Sequence, residues 1–256
     1  MTNVEKKTIT PLSNPVAVAD LHLSEATPRT LLAFIRFLEQ IAPRYPELLI
    51  LGDLFNEWTG DEMMKNDVVA TVAAHLQVLA CSGRRVCIMP GDRDFLIGGA
   101  FLEAAGAELL PDPWATEIHG LPIIFSHGDR WCAKEEAHLY WRRLTDDPAW
   151  RSEVMRAPEN LRNSLIQEAR VKALEATHSI ISPAHEMRIN EYVANKACRE
   201  AGCEVIVHAH VMHPGANVTS TFDRWVMPYW DLDGDEQKRS GYMTFMKSGR
   251  PQIQMM

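Results

Sequence analysis

The chain has 256 residues, 46% of them hydrophobic, with 26 Lys and Arg against 34 Asp and Glu for a formal charge of -8. Length and apolar content exclude disorder and collagen-like repeats, and they suffice for a buried core without disulfides or a structural zinc. Net acidity speaks against bulk nucleic-acid binding, which depends on clustered basic side chains. The cysteines Cys81, Cys87, Cys132, Cys198 and Cys203 are odd in number and form no CxxC pair, so reduced thiols in a cytosol fit better than a secreted disulfide framework. The polar start MTNVEKKTIT lacks the apolar stretch of a signal peptide, and no apolar run reaches the ~20 residues that span a bilayer. A cytoplasmic protein is expected.

In chain order, Val16-Ala-Val-Ala19 reads as a short buried strand, followed by a helix with Leu31, Phe34, Ile35 and Leu38 on one face. Thr27 is the expected N-cap of that helix, with Pro28 at its first position. Leu48-Leu-Ile-Leu51 is the next strand and completes a βαβ unit. A second helix carries Val68, Val72, Leu76 and Leu79 and stops near Ser82-Gly83, before the strand Arg85-Val-Cys-Ile-Met89. Ile123-Ile-Phe125 and Val205-Ile-Val207 repeat the form of a buried parallel strand. The stretch 130–199 has almost no β-rich run, so a helical cap insertion is expected there, with 1–129 and 200–256 forming the core. It holds 12 Lys and Arg against 10 Asp and Glu, leaving the rest of the chain near -10. That asymmetry suits an anionic ligand, and a solvated helical face is the competing reading. Arg224-Trp-Val-Met227, Met243-Thr-Phe-Met246 and Gln252-Ile-Gln254 are the expected antiparallel strands of the tail.

Each of the five apolar strands ends in residues able to bind metal: Asp20-Leu-His22, Gly52-Asp53, Gly91-Asp-Arg-Asp94, His127-Gly-Asp129 and His208-Ala-His210. Ligands bind outside the carboxyl ends of strands in such sheets. Carboxylate oxygens mixed with imidazole nitrogens suit Mn²⁺, Fe²⁺ or Zn²⁺, and Asp53 is the natural bridge between two ions. Two ions roughly 3.5–4 Å apart orient water in line with a phosphorus and stabilise the developing charge, which is phosphoester hydrolysis. Alone, each motif could be a turn or a helix cap, and it is the series that points to a site.

In this order the motifs resemble the calcineurin-like metallophosphoesterase superfamily, with its DxH, GDxxx, GN(H/R)(D/E), H and GHxH signatures. More narrowly, Ala19-Asp-Leu-His-Leu23, Ile50-Leu-Gly-Asp-Leu-Phe55 with Glu57-Trp58 and Gly60-Asp61, Gly91-Asp-Arg-Asp-Phe-Leu96 and His127-Gly-Asp129 resemble the UDP-2,3-diacylglucosamine diphosphatases of lipid A biosynthesis. The resemblance implies an α/β fold of layered β-sheets flanked by helices, with a helical cap. It implies Asp20 and His22 on one metal, Asp53 as the bridge, and Asp92, His127 and His210 on the second, both ions Mn²⁺. Arg93 would stabilise the phosphate during attack on the α-phosphorus, giving UMP and 2,3-diacylglucosamine 1-phosphate, while the cap covers the acyl chains. Arg188 and the aromatic Tyr140, with Trp141 beside it, are the substrate-side candidates. The UDP-linked lipid sugar would place the protein at the inner membrane surface of a Gram-negative bacterium.

Two ligand positions depart from the family. Asp92 replaces the family's Asn, which strengthens metal binding and lowers the ion's Lewis acidity. His208-Ala-His-Val-Met-His-Pro214 puts Met212 where the last imidazole belongs, and a thioether suits Mn²⁺ poorly, leaving His208 or His213 as the alternative donor. Met212 keeps open a metal-impaired homologue that binds a phosphorylated ligand without turnover. The altered segment His178–Arg188 keeps open a different nucleotide or phosphodiester substrate. Asp94 and Asp129 are expected to orient Arg93 and the loops behind the ligands, with loop carboxylates exposed to water as the competing reading. His75 reads as a structural histidine and His119 as a turn residue.

Overall fold

The computed structural model describes residues 11–132, 136–177, 188–218, 223–235 and 238–256. In chain order these form β1 (Pro15–Val18), α1 (Pro28–Gln40), β2 (Glu47–Leu51), α2 (Asp67–Cys81), β3 (Arg85–Met89), α3 (Gly99–Ala105), β4 (Ala107–Leu109), β5 (Trp114–Ile118) and β6 (Leu121–Ser126). The helices α4 (Glu136–Asp146), α5 (Pro148–Arg156), α6 (Glu159–Thr177) and α7 (Glu191–Glu200) follow. Then come β7 (Val205–His208), β8 (Gly215–Val218), β9 (Asp223–Val226), β10 (Gly241–Phe245) and β11 (Pro251–Met255).

The strands make two sheets, ordered β11-β10-β1-β2-β3-β4 and β5-β6-β7-β9-β8. Their apolar runs are continuous because both faces are covered. Val16, Val18, Leu48, Ile50, Val86 and Ile88 point toward α1, α2 and α3, whereas Ala17, Leu49, Leu51, Cys87 and Met89 meet Ile123, Phe125, Val205 and Val207 of the second sheet. On that sheet's outer face, Ile124 and Ile206 pack with Ala194 and Cys198 of α7. The period-two alternation of side chains thus sorts each strand's residues between two cores, giving four layers.

Three sequence expectations are corrected. Thr27 stands at the start of α1, but its hydroxyl accepts from Ser24 N at 2.9 Å. The Asp233 carboxylate caps the helix instead, accepting from Arg29 N and Thr30 N at 3.0 and 2.9 Å, because an acid placed there meets the free amides of the first turn. β9 runs parallel to β7 and only its other edge is antiparallel, to β8. Within the helical segment, α4, α5 and α6 pack on one another while α7 packs on β7, so that last helix covers the outer face of the second sheet and is not part of the cap. The short strands β4 and β8 had no sequence reading. His119 and Gly120, at φ 51° and 85°, form the tight turn between β5 and β6.

The cap helices seat on the loops that follow β2 and β3. Trp141, Val154, Ile166 and Ala169 share one apolar cluster with Phe55, Trp58 and Phe95. Arg162, almost fully buried, fixes the far side of the cap by donating to Thr59 O at 3.0 Å, Val154 O at 3.2 Å and the Glu62 carboxylate. Among the described residues no helix is long and apolar enough to cross a membrane.

Candidate functional site

Asp20 and His22 follow β1, Asp53 follows β2 and Asp92 follows β3, all at the carboxyl edge of the first sheet. His127 follows β6 and His210 follows β7 at the matching edge of the second. Packing the sheets face to face brings these edges together. Two donor groups result, Asp92 with His127 and His210, and Asp20 with Asp53 and His127, the donor atoms of each within 4.8 Å of one another. His127 Nε2 lies 3.3 Å from Asp92 Oδ1 and 3.7 Å from Asp53 Oδ2, and its Nδ1 lies 4.0 Å from Asp20 Oδ1. His210 Nδ1 is 3.4 Å from Asp92 Oδ1. His22 Nδ1 stands 3.8 Å from Asp53 Oδ2, beside the groups and partly open to solvent.

The backbone is bent to make this arrangement. Asp20, His22, Asp53 and His210 have φ of 50°, 47°, 52° and 68°, the left-handed region that side chains avoid. Each such residue costs roughly 1–3 kcal/mol, a cost borne where geometry is imposed by function. The turns are zipped together: Asp20 N donates to Gly52 O, and Leu21 N and His22 N both donate to Asp53 O at 3.0 Å. Arg93 N and His210 N donate to Asp53 Oδ1 and Asp20 Oδ2, each at 2.9 Å. A Cβ at Gly52 would overlap the His127 imidazole, and one at Gly91 the Asp53 carboxylate, so glycine is required at both.

Charge is concentrated to match. Burial, reinforced by Asp92, pushes the Asp53 carboxyl up to about 7. Burial also disfavours charge on Asp92, but hydrogen bonds from His127 and His210 outweigh it and hold that carboxyl well below its usual range. Asp53 and then Asp92 overcome burial at His127, and Asp92 does so at His210, raising both well above the ordinary imidazole value. His22, by contrast, is lowered by burial. Protons on His127 and His210 balance a cluster of carboxylates that would otherwise repel. This convergent set of oxygen and nitrogen donors fits divalent ions of the Mn²⁺, Fe²⁺ and Zn²⁺ kind.

The remaining sequence candidates fall as follows. Arg93 projects its side chain to solvent next to Asp53. His208 is fully buried, edge-on to Trp131, its Nδ1 2.9 Å from Ala209 O and its pKa lowered to about 3 by burial. His213 is exposed, and neither it nor His208 joins a donor group; Met212 is half-buried. Asp94 is fully buried and accepts from Gly91 N and Leu54 N at 2.7 and 2.8 Å, so it ties the second and third loops together. Tyr140 is 40% exposed on α4, while Trp141 turns inward and donates from Nε1 to Asp92 O at 3.3 Å. Arg188 is exposed and lies near Arg224, and residues 178–187 of the altered segment are outside the described residues. His75, half-buried on α2, has Nδ1 2.8 Å from Thr71 O.

Sequence reading missed Arg170. Its guanidinium stacks over the Trp141 ring at 5.0 Å and reaches Asp92 O at 3.5 Å and Glu57 at 3.7 Å; burial and the nearby Arg93 lower its pKa, but a guanidinium keeps its charge. The available signal was an arginine within the inward stripe Ile166, Ala169 and Ala173 of α6.

With the fold and donors in place, the chain is matched over residues 15–214 by the model of the calcineurin-like phosphoesterases. The chain belongs to this family and is an enzyme of it. A UDP-2,3-diacylglucosamine hydrolase of Bordetella parapertussis is 33% identical over 246 residues, 93% of this chain and 94% of that one. Proteins of the same name from Ralstonia nicotianae and Xanthomonas campestris are each 34% identical, covering 91% and 85% of this chain and 90% and 91% of their own.

Proposed function

We propose that the protein hydrolyses the pyrophosphate of UDP-2,3-diacylglucosamine, releasing UMP and 2,3-diacylglucosamine 1-phosphate, with two Mn²⁺ ions. The observation that carries this reading is the convergence of Asp20, Asp53, Asp92, His127 and His210 under a cap whose Arg170 stands beside Arg93. Asp20, His22 and Asp53 would hold one ion, and Asp53, Asp92, His127 and His210 the other, with His127 near enough to Asp20 to touch both groups. When bound, such ions supply Lewis acidity and an activated water.

The chain's own residues do the rest. His22, kept neutral by burial, offers a free nitrogen donor at neutral pH. The exposed Arg93 guanidinium meets the phosphate oxygens, and Arg170, held by Trp141 and Glu57, adds a second positive charge over the same ground. Trp141 and Arg170 both hydrogen-bond Asp92 O, so the cap rests directly on the ligand loop and keeps water off one side of the donors. The relatives' shared name supports a lipid-linked nucleotide substrate. Such a substrate would be met at the cytoplasmic surface of a Gram-negative inner membrane.

The test is UMP release from UDP-2,3-diacylglucosamine by purified protein with added Mn²⁺, using Asp53→Ala to exclude a contaminating enzyme. Release that depends on Asp53 supports the proposal. Bound Mn²⁺ without release would move the substrate elsewhere, to another nucleotide or phosphodiester.

A further inference from the structure

Behind the His127 loop lies an ion-pair frame. Asp112, in the loop before β5 with its side chain nearly sealed from solvent, accepts from Ser126 Oγ at 2.6 Å, Arg142 Nη2 at 2.9 Å and Arg130 Nε at 3.3 Å. Ser126 Oγ in turn accepts from Gly128 N at 3.1 Å, so the residues on either side of His127 are joined. Asp129, only 1% exposed, completes the loop and faces Arg142 Nη1 at 3.4 Å. Arg142 belongs to cap helix α4, and both Arg142 and Arg130 also face Asp146 of that helix. One planar fork on the cap therefore stands between two buried carboxylates that bracket the His127 turn.

We propose that Arg142 is a positioning residue that, by bridging Asp112 and Asp129, couples the seating of cap helix α4 to the placement of His127. The physical reason is repulsion. Asp112 and Asp129 are both buried and both within reach of one guanidinium, and without it two carboxylates would share a dry space with too little positive charge. The turn carrying His127 would then open, and His127 is the imidazole common to both donor groups. A lysine cannot replace the fork, since one ammonium does not satisfy two carboxylates in fixed directions. Arg162 provides the internal comparison: it clamps the same cap, and its hydrogen-bond partners Thr59, Glu62, Val154, Met155 and Ala157 all lie outside the His127 turn.

The inference rests on the proposed metal centre. The experiment is calorimetric titration of the full chain with Mn²⁺, without substrate, for wild type, Arg142→Met, Arg142→Lys and Arg162→Met, with a thermal melt of each. Amide hydrogen exchange at Gly128 is followed in the metal-free proteins. Arg142→Met is expected to weaken Mn²⁺ binding by about tenfold or more, the usual effect of removing a partner that orients a ligand. Arg142→Lys should show a smaller loss, and both should speed Gly128 exchange. Arg162→Met should melt earlier yet bind Mn²⁺ as wild type does. If Arg142→Met does not fold, Arg142→Lys carries the same comparison. Equal Mn²⁺ affinity and unchanged Gly128 exchange in the Arg142 variants would overturn the proposal, as would an equal loss in Arg162→Met. A wild type that binds no divalent ion would instead sink the metal centre itself, while the exchange data still decide whether Arg142 holds the turn.

Discussion

Asp53 and His127 arrive from different sheets and meet with Oδ2 and Nε2 3.7 Å apart, each shifting the other's protonation. The carboxyl is pushed up to about 7 by burial and by Asp92, while Asp53 is the leading influence that raises the imidazole against burial. A divalent ion must displace protons from this pair before it can bind.

Metal affinity should therefore climb with pH through 7. Below about 7 Asp53 holds a proton in the metal-free protein and His127 and His210 are charged, so each displaced proton weakens apparent binding by ~10-fold per unit fall in pH. Mn²⁺ titrations below and above neutrality, in buffers of differing ionisation enthalpy, would read both the slope and the protons released. A flat profile with no proton release contradicts the assignment of Asp53 as a ligand.

Arg93→Ala should lower turnover by about 100-fold, the scale of losing one group that stabilises developing charge. Because the side chain is exposed, the melting temperature should stay that of the wild type. Comparing kcat, KM and thermal melts checks both halves of the expectation.

Asp94→Ala should destabilise the fold by about 3 kcal/mol, since it strands the buried amides of Gly91 and Leu54. Urea unfolding of the metal-free protein measures this. A change under about 0.5 kcal/mol, the range of ordinary surface substitutions, would show that water replaces the carboxylate.

Met212→His should tighten Mn²⁺ binding on the Asp20 side, because an imidazole suits that ion better than a thioether does. Titration of the variant should show a stronger site beside one left unchanged. Unaltered affinity would mean that position 212 lies out of reach of that ion.

The strands and the residues at their ends were legible because a strand buried on both faces leaves an uninterrupted apolar run, and Asp20, Asp53, Asp92, His127 and His210 stand where such runs stop. What could not be read depends on the chain's path in space. The parallel partner of β9 is β7, and the cap of α1 is Asp233, some two hundred residues away. Arg170 and Arg142 look like ordinary polar residues of amphipathic helices until the cap is seated, when one lies beside Arg93 and the other between two buried carboxylates. His127 reads as a ligand of one ion, yet its nearness to Asp20 follows only from how closely the sheets pack. Left-handed backbone at four donor positions has no local signature, since Asp and His tolerate that region better than most side chains yet adopt it only seldom.

That strained backbone sets selection for heat resistance against catalysis. Glycine at position 22, or asparagine at position 53, would relax a left-handed φ and harden the metal-free chain while removing or weakening a donor. A library screened for thermal tolerance alone should drift toward such replacements and yield sturdy, inert proteins. Any engineering of this enzyme therefore needs turnover in the screen from the first round.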